Sequence, residues 1–336
     1  MGGIVKNNHI IDERFKGRHV LVTGGTGFIG GAIVTRLLTA GAYVRATHFK
    51  TPPRISHPNL TWINADLTSS TDCTRVVENI EIVIMAAAST SGAAAIVGTP
   101  LVHLTPNVIM NSQMLEAAYL GQVTGFLFIS SATVYEPNGN IPLSEDQALV
   151  GNPADVYFIA GWMKRYTEIL CNTYAQHLDR KMAMTVVRPS NVYGPGDKFD
   201  WQTSHVTAAT IRKVIERQNP IVVWGDGETR RDLIYIDDFV EGTLRALLKN
   251  EPFYCVNIAS GLTVSIRELL DTAISVDGIE DATITFDSAR PQTVQVLTID
   301  VTKSVEELDF RPSVSLADGI HRTISWYRKT LSGERA

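Results

Sequence analysis

The sequence predicts an α/β fold: a doubly wound parallel sheet with helices on both faces, followed by a smaller α/β domain. Three observations carry this. Short apolar runs alternate with helical patterns over the first half of the chain, as parallel strands with crossover helices require. The first run ends in a glycine-rich turn that opens a helix. The alternation stops after Arg188, where Gly and Pro punctuate the chain (Tyr193-Gly-Pro-Gly196, Trp224-Gly-Asp-Gly227).

The predicted strands are 18–23, 42–47, 60–64, 82–85, 125–130 and 183–187. Helical spacing is expected over 31–40, 72–79, 107–120 and 157–177, where apolar residues recur with a period near 3.6. The larger domain is expected to cover 1–187 with about 232–262, and the smaller one 188–231 and 263–330. The sequence shows neither an internal repeat nor a low-complexity segment.

Composition narrows the function classes. The 336 residues are 44% hydrophobic and 19% charged, which suits a soluble chain with a sizeable core. Thirty Lys+Arg against 35 Asp+Glu leave a net charge of -5. With no basic-aromatic run, nucleic acid is not an expected partner. No apolar run approaches the roughly 20 residues of a membrane helix. The first residues lack the apolar core of an export signal, so a cytoplasmic location is expected. Cys73, Cys171 and Cys255 lie far apart, which points to reduced thiols and no metal site.

The turn after the first strand reads Gly24-Gly25-Thr26-Gly27-Phe28-Ile29-Gly30. Glycines let a backbone turn tightly against a pyrophosphate, and the following helix offers N–H groups and a partial positive charge. These residues are the expected dinucleotide contacts, with Asp66-Leu67 after the third strand beside the adenine. An NAD site usually carries an acid at the end of the second strand. Here Val44-Arg-Ala-Thr-His48-Phe-Lys50 has none, and Arg54 follows. Cations stabilise a 2′-phosphate that a carboxylate would repel. The expected cofactor is therefore NADP rather than NAD, held there by His48 and Lys50.

Further motifs are Ile129-Ser-Ser-Ala-Thr-Val-Tyr135, Tyr157 opening its helix, Arg188-Pro-Ser-Asn-Val-Tyr-Gly-Pro195 and Gly225-Asp-Gly-Glu-Thr-Arg-Arg-Asp-Leu-Ile-Tyr-Ile-Asp-Asp238. With the glycine loop, they make the chain resemble the extended short-chain dehydrogenase/reductases of the epimerase/dehydratase family. Asn191–Asp200, Ser204-His205-Val206, Val223-Trp-Gly225 and Arg230-Arg-Asp232 are similar to the GDP-L-fucose synthase group within it. The resemblance implies a Rossmann-type domain, a nucleotide-sugar substrate and a homodimer. It implies that His205 is a catalytic histidine and that Trp224 and Arg231 touch the nucleotide sugar. Lys213 stands at a substrate-binding arginine position, and Asn191, Arg212 and Arg290 complete the implied substrate set. Ala86, Ala87 and Asn107 join the implied cofactor set. Independently, Arg212, Lys213, Arg230 and Arg231 supply the cations a diphosphate needs, and Thr203 and Ser204 could cap the helix after His205.

In this resemblance a tyrosine transfers the hydroxyl proton, a serine hydrogen-bonds the same oxygen, and a lysine four residues after the tyrosine holds the cofactor ribose. Ser131 and Tyr157 match the first two, but Gly161 stands at the lysine position. Lys164 is three positions further on the same helix face; it either leans back over 161 in compensation or is solvated or paired with Glu168. A glycine there suggests needed space, for cofactor, water or Lys164 itself. Because oxidation needs the phenolate, which a lysine charge favours, Gly161→Lys is expected to raise the oxidative rate. Thr133 occupies the position of a catalytic cysteine, and a hydroxyl is a poor substitute for a thiol base. The expected reaction is reduction of a 4-keto nucleotide sugar, GDP-linked, without epimerisation. The alternatives are an epimerase/reductase and a non-catalytic dinucleotide binder. Met110, Met114, Leu115, Tyr119, Met163, Tyr166 and Leu170 are expected at a dimer interface or in the core.

Overall fold

The computed structural model describes residues 4–89, 100–201, 203–287 and 296–333. Seven parallel strands form the main sheet among these residues. They are β1 (His19–Val22), β2 (Tyr43–His48), β3 (Leu60–Asn64), β4 (Ile82–Met85), β5 (Gly125–Ile129), β6 (Ala183–Pro189) and β10 (Phe253–Ile258), in the order β3-β2-β1-β4-β5-β6-β10. The period of two sends Val20 and Val22 to one face and Leu21 to the other, and all three are fully buried. A strand apolar on both faces needs helices on both.

On the Val20 face lie α2 (Phe28–Thr39) and α7 (Ile236–Leu248), with Ile33, Leu37, Phe239 and Leu244 in one core. On the Leu21 face lie α3 (Ser70–Val77), α4 (Pro100–Leu120) and α5 (Phe158–Gln176), with Val76, Met114, Leu115 and Cys171 in the other. The winding reverses between β1 and β4. A crevice forms at such a switch point, outside the carboxyl ends of the strands. The segments after β1, β4 and β5 therefore converge there.

Three differences from the sequence reading have local causes. Helix α2 starts at Phe28 because Gly31 N–H already bonds the Gly27 carbonyl at 2.8 Å. Helix α4 starts at Pro100, ahead of the expected 107, and carries Pro106 inside it. Helix α1 (Ile4–Phe15) was not expected. Its Ile11 and Phe15 are fully buried, and Asp12 pairs with Arg36 of α2 at 2.7 Å.

The smaller unit continues from β6. Strand β7 (Asn191–Tyr193) pairs in parallel with β9 (Arg230–Tyr235), and β11 (Thr263–Ser265) pairs with β9 antiparallel. Strands β8 (Ile221–Trp224) and β12 (Ile284–Asp287) form a second small sheet. Helices α6 (Val206–Ile215), α8 (Ile266–Asp277) and α10 (Leu316–Ser332) pack around them, and α9 (Thr302–Leu308) lies against β10 and α7.

Candidate active site

The glycine loop is shaped to receive a phosphate. Gly24 has φ +64°, and a Cβ there would meet the Ala87 backbone at 2.8 Å. A Cβ on Gly30 would collide with the Gly24 carbonyl. Helix α2 begins after Gly27 with no side chain capping its N-terminus, so its first N–H groups are open to a ligand. The Thr23 hydroxyl accepts from the Ala86 and Ala87 N–H groups at 3.1 and 3.0 Å. That ties the ends of β1 and β4 together beneath the loop.

At the end of β2, His48 Nδ1 lies 3.5 Å from Asn64 Nδ2, and Lys50 and Arg54 are exposed. Arg45 is not available, since it donates to the carbonyls of Val76 and Glu78 at the C-terminal end of α3. Asp66 is half-buried, and one of its oxygens accepts from the Thr68 N–H and hydroxyl at 2.9 and 2.7 Å, with Leu67 buried beside it. Asn107, placed with the cofactor set from sequence, is 3% exposed and commits its amide to Ser89: Oδ1 accepts from Ser89 N–H and Nδ2 donates to Ser89 O, both at 2.9 Å. It positions the segment after β4 rather than reaching a ligand.

Beyond β5 the chain turns through a 3₁₀ segment, 132–134, whose start is capped by Ser131: its hydroxyl accepts from Thr133 N–H at 3.1 Å. Helix α5 lies along this turn. Lys164 Nζ donates to the Ile129 carbonyl at 2.7 Å and sits 4.6 Å from the Phe128 ring centroid. Burial lowers its pKa to about 8, against the opposing effect of Glu168 and Cys171. Gly161 overturns the expected vacancy. A Cβ there would stand 2.5 Å from both Pro153 Cβ and the Thr133 carbonyl oxygen. The wall of the site fills the space, and a lysine at 161 has nowhere to go. Tyr157 is the residue before the helix, with φ -114° and ψ 10°.

Behind this edge, Arg188 holds Glu168 with two hydrogen bonds of 3.0 and 2.7 Å, and both are about 5% exposed. Ser130 also donates to Glu168, and Arg188 donates to the Tyr135 hydroxyl at 3.0 Å. Burial opposes the Arg188 charge, but Cys255, Glu168 and Tyr135 together outweigh it and raise its pKa.

In the smaller unit, burial lowers the pKa of Arg231, against the opposing effect of Tyr157, and Arg231 Nη1 donates to the Arg230 carbonyl at 2.7 Å. Asn191 donates to the Asp232 carbonyl at 3.0 Å. Lys213 donates to the Val222 carbonyl at 2.6 Å, two residues before Trp224, which is 55% exposed. Arg212 faces elsewhere. It donates to the Phe199 carbonyl at 2.6 Å, pairs with Glu216 and stacks on Trp201, thereby organising the 199–201 segment. Arg290 lies outside the described residues. His205 is itself the residue that precedes α6, in place of the expected Thr203 or Ser204, and makes no side-chain cap. His205 is exposed, and desolvation by the surrounding protein and the Lys198 ammonium lower its pKa. Next to Lys198, Asp197 is 8% exposed, and burial pushes its carboxyl up to about 6.

The model of the NAD dependent epimerase/dehydratase family matches residues 20–259. The chain belongs to this family. It is 30% identical over 323 residues to GDP-mannose 3,5-epimerase 1 of Oryza sativa subsp. indica, covering 94% of this chain and 83% of that protein. It is 29% identical to GDP-L-fucose synthase 1 of Arabidopsis thaliana, covering 94% and 95%. The crystal structure of UDP-glucose 4-epimerase from Thermotoga maritima superposes with a TM-score of 0.82 at 27% identity, covering 93% of this chain and 99% of that one. Among the described residues, no helix is long and apolar enough to cross a membrane. Sequence reasoning did not single out Asp197 or Lys198, because no local motif announces that the Lys198 charge acts on His205.

Proposed function

We propose that the chain is an NADP-dependent oxidoreductase that reduces the 4-keto group of a GDP-linked sugar without inverting neighbouring carbons. The observation that carries this reading is the state of the thiols. Inversion next to a ketone needs a base, and Thr133 stands where a thiol would act. Burial raises the pKa of Cys73 and of Cys255 to about 12, and that of Cys171 well above its ordinary range. No cysteine of the chain offers a thiolate near pH 7.

The remaining residues divide between two ligands. The Gly24–Gly30 loop and the open N-terminus of α2 suit the pyrophosphate of a dinucleotide, and His48 and Lys50 suit a 2′-phosphate. The bound dinucleotide supplies the hydride. Ser131 suits a hydrogen bond to the reacting oxygen. Arg231 and Lys213 suit the substrate diphosphate, and the exposed Trp224 offers a face for the base. The GDP-sugar relatives support the choice of nucleotide.

A second reading keeps epimerisation. The lowered pKa of His205 leaves a neutral imidazole, which is a competent base though a poor acid. One experiment separates the two. NADPH absorbance is followed with a panel of 4-keto nucleotide sugars in D2O, and the product is examined by NMR. The expected outcome is NADPH consumption with no enzyme-dependent deuterium at C3 or C5. Deuterium at either carbon moves the assignment to the epimerase. Calorimetry on the same protein is expected to show NADP(H) binding about tenfold or more tighter than NAD(H), as one charge-assisted phosphate contact implies. Tight dinucleotide binding with no turnover on any sugar would favour the non-catalytic reading.

A further inference from the structure

Two contacts fix the rotation of α5 about its axis. Gly161 is pressed against Pro153 and the Thr133 carbonyl, so that face of the helix meets the wall. Lys164 reaches the carboxyl end of β5 and donates to the Ile129 carbonyl at 2.7 Å. The lysine of the site is therefore Lys164, and the 161 position belongs to packing. A tyrosine partner must lie one turn earlier on the same face, four residues before the lysine. That residue is Ala160. Tyr157 precedes the helix, and its phenol opposes the lowering of the Arg231 pKa.

An ammonium has three N–H donors, and Ile129 takes one of those of Lys164. The charged and titratable groups on the elements around Lys164 are all otherwise engaged or distinct in role. Glu168, on its own helix, is held by Arg188 of β6 and Ser130. Cys171 on α5 and Cys255 on β10 are buried thiols. Tyr135 donates to Asn257 and accepts from Arg188. On α4, His103 faces the Ser89 carbonyl, and Glu116 lies near Tyr174.

We propose that Lys164 itself is the proton donor of this site, in the place vacated at Ala160, and that Tyr157 anchors substrate beside Arg231. The step rests on the ketone-reduction reading above. The carbonyl carbon accepts the hydride from the reduced dinucleotide, and the carbonyl π pair moves onto oxygen. That oxygen takes a proton from the Lys164 ammonium, which becomes a neutral amine and is reprotonated from solvent. The acidity suits the role, because burial brings Lys164 to about 8, near the pH at which a general acid is effective.

The first test needs no substrate. Trace labelling of the free protein with acetic anhydride, read at Lys164 by peptide mass spectrometry across a pH series, is expected to give a midpoint near 8. A midpoint at 10 or above overturns the proposal. The second uses Lys164→Arg, which keeps the charge and withholds the proton. Its dinucleotide Kd is expected within threefold of the unmodified chain, with single-turnover reduction slowed at least 100-fold. Adding Ala160→Tyr to that variant puts a phenol one turn before residue 164, and is expected to recover at least tenfold. Tyr157→Phe is expected to raise KM with kcat held within threefold. Full reduction by Lys164→Arg, or loss of kcat in Tyr157→Phe at unchanged KM, overturns the assignment. If the unmodified chain reduces no 4-keto sugar, the substrate reading fails, while the labelling midpoint still decides whether Lys164 is acidic enough to donate.

Discussion

Gly161 shows how one residue reverses its meaning between sequence and structure. Read along the chain, a glycine inside a helix costs roughly 1 kcal/mol against alanine, which suggested a space kept open for a ligand. In the fold, Pro153 and the Thr133 carbonyl already occupy that space. Gly161→Ala is therefore expected to destabilise the protein by about 1–3 kcal/mol despite its better helix propensity, because the methyl overpacks the wall. Urea denaturation followed by circular dichroism measures this. An unchanged or raised midpoint would mean that Pro153 yields freely. Gly161→Lys, expected from sequence to raise oxidation, is now expected to lose stability without gaining activity.

At the scale of the element, α5 presents different sides to different neighbours. Met163 packs inward, as do Met114 and Leu115 of α4, so these are core and not interface. Met110, Tyr119 and Leu170 are partly buried against the same core. Only Tyr166 of the residues singled out from sequence points outward. It continues a stripe with Phe158, Trp162 and Ile169, each between 41% and 49% exposed. Positions 158, 162 and 166 recur every four residues, which is one helix face. An apolar stripe of this length is characteristic of an association surface. The homodimer proposed from sequence is therefore expected to use this stripe. Light scattering at micromolar concentration should give twice the 36.9 kDa chain mass, and Tyr166→Asp should lower it toward one. A monomeric mass for the unmodified chain would sink the idea.

At the scale of the molecule, the buried network around Glu168 joins elements distant in sequence. Glu168 comes from α5, Ser130 from the end of β5 and Arg188 from β6. Through Tyr135 it reaches Asn257 of β10, whose Nδ2 donates to the carbonyls of Leu143 and Asp300. A pocket of about 220 Å³ opens beside it, lined by Glu145, Ile169, Asn172 and Arg188 among others. Removing one member leaves the opposite charge buried and uncompensated, which typically costs 3–5 kcal/mol. Glu168→Ala is expected to fall in that range in equilibrium denaturation, and Glu168→Gln to lose less by keeping one acceptor. A loss below about 1 kcal/mol in Glu168→Ala would mean that water reaches Arg188 through the pocket.

The sequence by itself determined the parallel sheet and the glycine-rich turn after its first strand. Each is written locally: a two-residue period buries both strand faces, and close approach at Gly24 and Gly30 excludes other side chains. It left β10 unread among the Gly and Pro of the second half, and α1 as well, although Ile11 and Phe15 stand four apart. Only the tertiary structure decided what Gly161 packs against, which carbonyl Lys164 meets, and which side of α5 meets solvent. These depend on how a helix is rotated about its own axis, and that rotation is set by contacts from Pro153, Thr133 and Ile129. Local spacing constrains which residues share a face, while the partner of each face is chosen by residues elsewhere in the chain.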